Sequence, residues 1–292
     1  MTDTTITAGS KASADVTSLL RARNSLLWIV TREEARAERG ICEAAASAAY
    51  EPRLWDCATG ISDMSGTPVD ASMTDPGNVL TKIRDSKLRQ VWILRDLPYW
   101  LKDPIALRML RSLARQLQSA PRAEARAIVV LSPVSEIPPE LQGHATVIEW
   151  PLPDRAEIAK ILDNVIAALP EEMQANAAPN GSRDAAIDAA VGLTSEEAQA
   201  CYAKSLVATK KIEAATVAQE KKRVIAKEKV LEWVDPLPGG LDSVGGLELL
   251  KAWLMSRRAA FTPAARAYGL PAPKGALLVG VPGCGKSLTA KA

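Results

Sequence analysis

The sequence predicts an α/β fold: a parallel sheet flanked by helices, then a helical subdomain, then the start of a second α/β unit. Three observations predict it. Short apolar runs such as Leu26–Val30 and Val91–Leu94 alternate with helix-forming stretches as far as Trp150. After Pro153 the strand pattern stops, and helix-forming residues dominate to Trp233. A further apolar run, Ala276–Val279, then leads into a glycine-rich loop.

Each element follows from its residues. Residues 1–15 are rich in Thr, Ser and Ala without an apolar core, and read as a disordered tail. Leu26–Val30 reads as a buried strand, Arg32–Ala49 as a helix, and Tyr50–Cys57 as a second strand. Gly60, Gly66, Pro68, Pro76 and Gly77 mark residues 60–78 as a loop. Val79–Ser86 fits a short helix, and Val91–Leu94 a strand closed by Arg95 and Asp96. Asp103–Gln118 carries apolar residues at helical spacing. Ala127–Leu131 and Thr146–Trp150 are the remaining strands of a domain set at 20–152. Strands alternating with helices argue for a parallel sheet covered on both faces.

The helical subdomain is set at 153–234. Asp154–Leu169 reads as a helix, Glu171–Arg183 as a polar linker, and Asp184–Trp233 as nearly continuous helix broken at Gly192-Leu193-Thr194. Thr194 followed by Glu197 has the form of a capping box. A new unit starts near Pro236 and is set at 238–292; its helix spans Glu248–Ala260 and its strand Ala276–Val279.

Composition narrows the classes. Apolar residues make up 47% and charged residues 24%, as in an ordinary globular chain, and a net charge of +2 sets up no strong overall field. The four cysteines, Cys42, Cys57, Cys201 and Cys284, lack metal-type spacing, and His144 is the only histidine. A structural zinc site and a disulfide framework are therefore not expected. No apolar run reaches the ~18 residues of a membrane span, and the N-terminus has no secretory pattern. No membrane partner and a cytoplasmic location are the resulting expectations.

The sharpest motif is Gly280-Val281-Pro282-Gly283-Cys284-Gly285-Lys286-Ser287, which meets G-x-x-x-x-G-K-[ST] at every fixed position. Glycines let the backbone curl with its N–H groups inward, a cradle for phosphate oxygens. Lys286 is expected to reach the β- and γ-phosphates of ATP, and the Ser287 hydroxyl to help hold Mg²⁺. Leu288 completes the contact set at the start of the following helix.

Further residues bring in a family. Val244-Gly245-Gly246-Leu247, a helix, and then Leu270-Pro271-Ala272-Pro273-Lys274-Gly275 ahead of the apolar run resemble the start of the AAA ATPase module. The resemblance covers residues 240–292. It implies that Val244 and Gly245 lie against the adenine. Tyr268–Pro271 and Gly285–Ala292 look similar to the AAA ATPases first noted as a hypothetical reading frame of chloroplast genomes. Val281 and Cys284 depart from the family, which often has Pro and Thr there.

Thr146–Leu162 resembles the segment where an AAA sheet hands over to its helical lid, and Gly192-Leu193-Thr194 a lid turn. The first domain is accordingly expected to be a degenerate AAA-like P-loop NTPase fold. The loop after its first strand, Thr31-Arg32-Glu33-Glu34, has no glycine and no Gly-Lys-Ser, and its two carboxylates would repel phosphate. Asp96 is followed by Leu97 rather than a second acid.

The resemblance implies an ATP- and Mg²⁺-dependent ATPase that works as a homo-oligomeric, hexameric ring on a protein or nucleic-acid client. The chain ends inside the helix after the loop, so it reads as a truncated N-terminal portion with no catalytic residues present: the acidic segment, the sensors and the arginine finger all lie in later strands of such a module. Two alternatives stay open. One is a non-catalytic, partner-binding or regulatory α/β module. The other is a nucleic-acid binder through the basic helices at 204–229, whose interleaved Glu213, Glu220 and Glu228 equally fit a solvated face.

Overall fold

The computed structural model of the chain describes residues 7–178, 182–226, 234, 237–271 and 273–292. Contacts divide it into two units, residues 1–221 and 222–292, which are described separately.

The first unit opens on helix α1 (Ala8–Arg21) and strand β1 (Leu26–Val30), followed by α2 (Glu34–Ser47) and β2 (Glu51–Asp56). A hairpin of β3 (Gly60–Ser62) and β4 (Pro68–Asp70) leads to α3 (Pro76–Asp85), β5 (Gln90–Arg95), α4 (Pro104–Gln118), β6 (Arg126–Ser132) and β7 (Thr146–Glu149). The seven strands lie in the order β4-β3-β2-β5-β6-β1-β7. The five strands from β2 to β7 in that order pair parallel, as β2/β5, β5/β6, β6/β1 and β1/β7. The hairpin pairs antiparallel on β2, so the sheet is mixed rather than wholly parallel. Residues 60–78, expected as loop, hold both hairpin strands; three residues each, with Gly60 and Pro68 at their starts, they are too short to show alternation.

Parallel strands buried on both faces read as unbroken apolar runs, and alternate residues sort between two cores. Leu27 and Ile29 of β1 face Val16, Leu20, Ile41 and Ala45 of α1 and α2. Leu26 and Trp28 face Leu80 and Ile83 of α3 and Leu110 and Leu113 of α4 on the other side. Fully burying such a side chain contributes about 1.5–3 kcal/mol. Arg126, at the start of β6, is buried and closes the end of α3: its Nη1 donates to Ile83 O at 3.1 Å, to Arg84 O at 2.8 Å and to Ser86 O. A cation at carbonyls left over by a helix C-terminus complements the dipole there.

Helix α1 corrects the expected tail. Residues 1–6 lie outside the described residues, but Ala8–Asp15 form the first half of a helix. Thr7 caps it, its hydroxyl accepting from Ser10 N, and Ala12, Val16 and Leu20 make a buried stripe. Small residues hid the amphipathic pattern.

The helical part comprises α5 (Arg155–Ala167), α6 (Glu171–Ala177), α7 (Ser182–Ala190), α8 (Ser195–Thr209) and α9 (Ala214–Ile225). Asp154 and Thr194 both cap through full capping boxes, with Glu157 and Glu197. The linker expected at Glu171–Arg183 is helical at Glu171–Ala177; residues 179–181 lie outside the described residues, as do 227–233 at the end of the basic stretch. Ile158, Leu162, Ile187, Tyr202 and Leu206 form a buried interior between these helices.

The second unit holds α10 (Glu248–Arg258), α11 (Pro263–Ala267) and α12 (Lys286–Lys291). No strand forms at Ala276–Val279. A strand is defined by its ladder, and among the described residues no neighbour bonds to this run; Leu277 and Val279 are 89% and 86% exposed. Among the described residues no helix is long and apolar enough to cross a membrane.

Candidate nucleotide-binding site

The glycine-rich loop keeps its expected residues together because they are contiguous. Gly283 and Gly285 take positive φ of 85° and 83°, where a Cβ would strain the backbone. Space beside both is open to 4 Å. A Cβ on Gly280 would instead meet Cys284 Sγ at 2.9 Å. Lys286 folds back over the loop: its Nζ donates to Gly280 O at 2.8 Å and Val281 O at 2.7 Å, and lies 3.5 Å from Cys284 Sγ. Val281, Pro282 and Leu288 are exposed, Cys284 is also open to solvent, Lys286 is half-buried, and Ser287 is exposed at the start of α12. Thr289 is buried, its hydroxyl donating to Gly285 O at 3.0 Å, which ties α12 to the loop.

These residues fit a phosphate group and its Mg²⁺. The loop has room at its two left-handed glycines, an ammonium held at its rim by its own carbonyls, and a hydroxyl at Ser287 within the same turn. Val244 is buried and Gly245 exposed. The turn leading into them bonds to the far end of α12, Leu237 N donating to Lys291 O at 3.1 Å.

The corresponding place in the first unit is built differently. The crevice at the carboxyl ends of β1, β5 and β6 has a volume of about 360 Å³ and is lined by Thr31, Arg32, Glu34, Asp96, Tyr99 and Ser132. Arg95 bridges Glu38 at 2.6 Å and Asp56 at 3.0 Å. Burial pushes the Glu34 carboxyl up; Arg95 opposes this, and Asp96, Glu38 and Asp56 add to the rise. Asp96 sits in the left-handed region at φ 53° and accepts from the Ser132 hydroxyl at 3.2 Å. Among the described residues no cluster of His, Cys, Asp and Glu forms a metal cage.

Glu33 does not face this crevice. Its side chain is 2% exposed and turns toward the helical part, where it accepts from the Ser195 amide and from Ser195 Oγ at 2.7 Å. Arg36 Nε donates to the same carboxylate at 2.8 Å. Arg36 also pairs with Glu157 at 3.0 Å and donates to Pro151 O. Asp154, boxed with Glu157, accepts from Ala8 N at 2.7 Å. Each hydrogen bond to a charged group contributes about 1.5–3 kcal/mol, and a buried carboxylate left without partners is costly. Sequence reasoning placed Glu33 correctly after the first strand but not its partner; the only local signal was the Thr194–Glu197 box that exposes the start of α8.

In the basic stretch, Lys204 pairs with Glu220 at 2.7 Å and Lys221 donates to Val191 O at 2.5 Å. Burial lowers the Lys221 pKa. These two cations are engaged within the protein.

Comparison with known proteins places these features. A family model described as the N-terminal domain of a SpoVK-like AAA ATPase matches residues 12–150, and one described as its second domain matches 156–228. The junction between them falls at the link before α5. An uncharacterized AAA domain-containing protein, ycf46, from Guillardia theta is 34% identical over 288 residues, covering 95% of this chain and 54% of that protein. Its counterpart from Trieres chinensis is 30% identical over 288 residues, covering 97% and 56%. The chain thus spans about half the length of the curated relatives it matches. A solved structure of a Thermotoga maritima RuvB mutant superposes with a TM-score of 0.47 at 11% identity over 90% of this chain and 82% of that one, too loose a likeness to bear on the fold. On the two consecutive family models and the ycf46 relatives, the chain belongs to the SpoVK-like AAA ATPases.

Proposed function

We propose that the chain binds ATP with Mg²⁺ through the loop at 280–288 and is the front portion of a ring-forming ATPase that remodels a macromolecular client. One observation supports this above the others: an uninterrupted phosphate-loop motif whose two key glycines adopt left-handed conformations with open space beside them. Lys286, now bonded to the Gly280 and Val281 carbonyls, and backbone amides of the loop would hold the phosphates, and the Ser287 hydroxyl would help hold the cation. Bound ATP supplies the phosphoryl group. Val244 and Gly245 are assigned to the adenine side. The first domain, with Glu33 and Glu34 where a phosphate loop would lie, is assigned a nucleotide-free, partner-holding role, and the helical part its lid.

Titration of the chain with ATP–Mg by calorimetry tests the loop. Saturable binding that vanishes in Lys286→Ala is expected. Absence of binding, or equal binding by the variant, overturns the assignment.

A further inference from the structure

We infer that Glu33 is a built-in latch: its carboxylate holds the helical subdomain closed on the α/β layer, so that the closure of this domain is set by the chain and not by nucleotide. The residue stands in the loop after β1, at the carboxyl end of the central parallel strands, where open α/β sheets bind their ligands. There the side chain presents an anion to the start of α8. It takes the Ser195 amide, which no intrahelical bond can use, and the Ser195 hydroxyl 162 residues further along the chain.

The latch is backed on its other side. Thr31 Oγ1 accepts from Glu33 N at 2.9 Å and fixes the loop. Arg36 neutralises the carboxylate and carries the connection to Glu157 and Pro151, at the link into α5. Gly9 lies against that pair so tightly that a Cβ would stand 2.5 Å from Glu157 Oε1. Helices α1, α2, α5 and α8 therefore meet at one chain of charges around a buried acid. A nucleotide phosphate entering the crevice would meet like charge from Glu34 in its lining, and the Glu33 carboxylate, turned away and already bonded to Ser195, leaves the loop no phosphate cradle. The latch lies within residues 8–195 and is independent of the loop at 280–288. It rests on the nucleotide-free reading of the first domain only in its claim about ATP.

Hydrogen exchange on the whole chain tests it. Glu33→Ala removes the acceptor. Ser195→Pro removes both donors while keeping α8, because proline suits the first helical position and Thr194 before it is already extended, at φ −69° and ψ 164°. Each variant is expected to speed exchange across residues 31–37 and 194–200 at least tenfold, with β5 staying protected. Unchanged exchange in Ser195→Pro overturns the latch, even if Glu33→Ala proves unable to fold. In the Lys286→Ala background, ATP–Mg is expected to leave both segments unaffected; slowed exchange there shows that nucleotide enters the first domain and overturns the claim of independence, whatever the fate of the second-unit loop.

Discussion

The indole of Trp150 lies directly on Gly40: a Cβ on that glycine would stand 2.6 Å from Trp150 Cη2. Gly40 sits in the middle of α2, where glycine is the poorer helix former, and Trp150 is buried. The close approach explains the choice. Gly40→Ala gains about 1 kcal/mol of helix propensity but forces a rigid, buried ring to move, an overpacking cost of about 1–3 kcal/mol. The two partly offset, leaving an expected net loss of up to about 2 kcal/mol by urea unfolding. A variant as stable as the parent would show that the ring yields freely.

Asp154 makes stability depend on acid. Burial pushes its carboxyl up, but the amides of Glu157, Ala8 and Ala156, with Arg36 nearby, outweigh this and hold it below the usual carboxylate range. A depressed folded-state value means the stabilisation is complete above about pH 4 and is lost as pH falls below that. The thermal midpoint of the parent should therefore drop more steeply between about pH 4 and pH 3 than that of Asp154→Asn, which keeps a cap oxygen without titrating. Parallel curves would remove Asp154 from the account.

The four thiols should separate into two classes. Burial pushes Cys42 up to about 11, with Glu38 adding to the rise, and burial also raises Cys201. Cys57 and Cys284 are exposed. Iodoacetamide at neutral pH should modify only the latter pair until denaturant is added, as mass spectrometry would read. In Cys57→Ala, alkylating Cys284 beside Lys286 should weaken ATP–Mg binding at least tenfold. Full modification with undiminished affinity would place the Sγ outside the phosphate path.

Local signals carried well into the structure, and distant ones did not. Leu26–Val30 was legible to its ends because a strand buried on both faces is a simple apolar run between polar neighbours. The glycine-rich loop at 280–287 was legible as a motif because its residues are contiguous. The Thr194–Glu197 box was legible because capping depends only on a short, fixed spacing. Helix α1 was missed because alanine and serine conceal a stripe of only Ala12, Val16 and Leu20. The run Ala276–Val279 has the composition of a strand, yet a strand also needs a neighbour to bond with. Glu33 read as one of two carboxylates hostile to phosphate; that it turns away to meet Ser195 depends on a fold that no spacing within the loop encodes.

The sorting of tryptophans between the parts has an optical consequence. Trp28, Trp55, Trp92 and Trp150 are all buried in the α/β layer, whereas α5 to α9 contain none. The blue component of emission excited at the red edge of indole absorption thus reports the integrity of the sheet and is blind to those five helices. Their melting on their own would register in far-ultraviolet dichroism while the fluorescence colour stayed put.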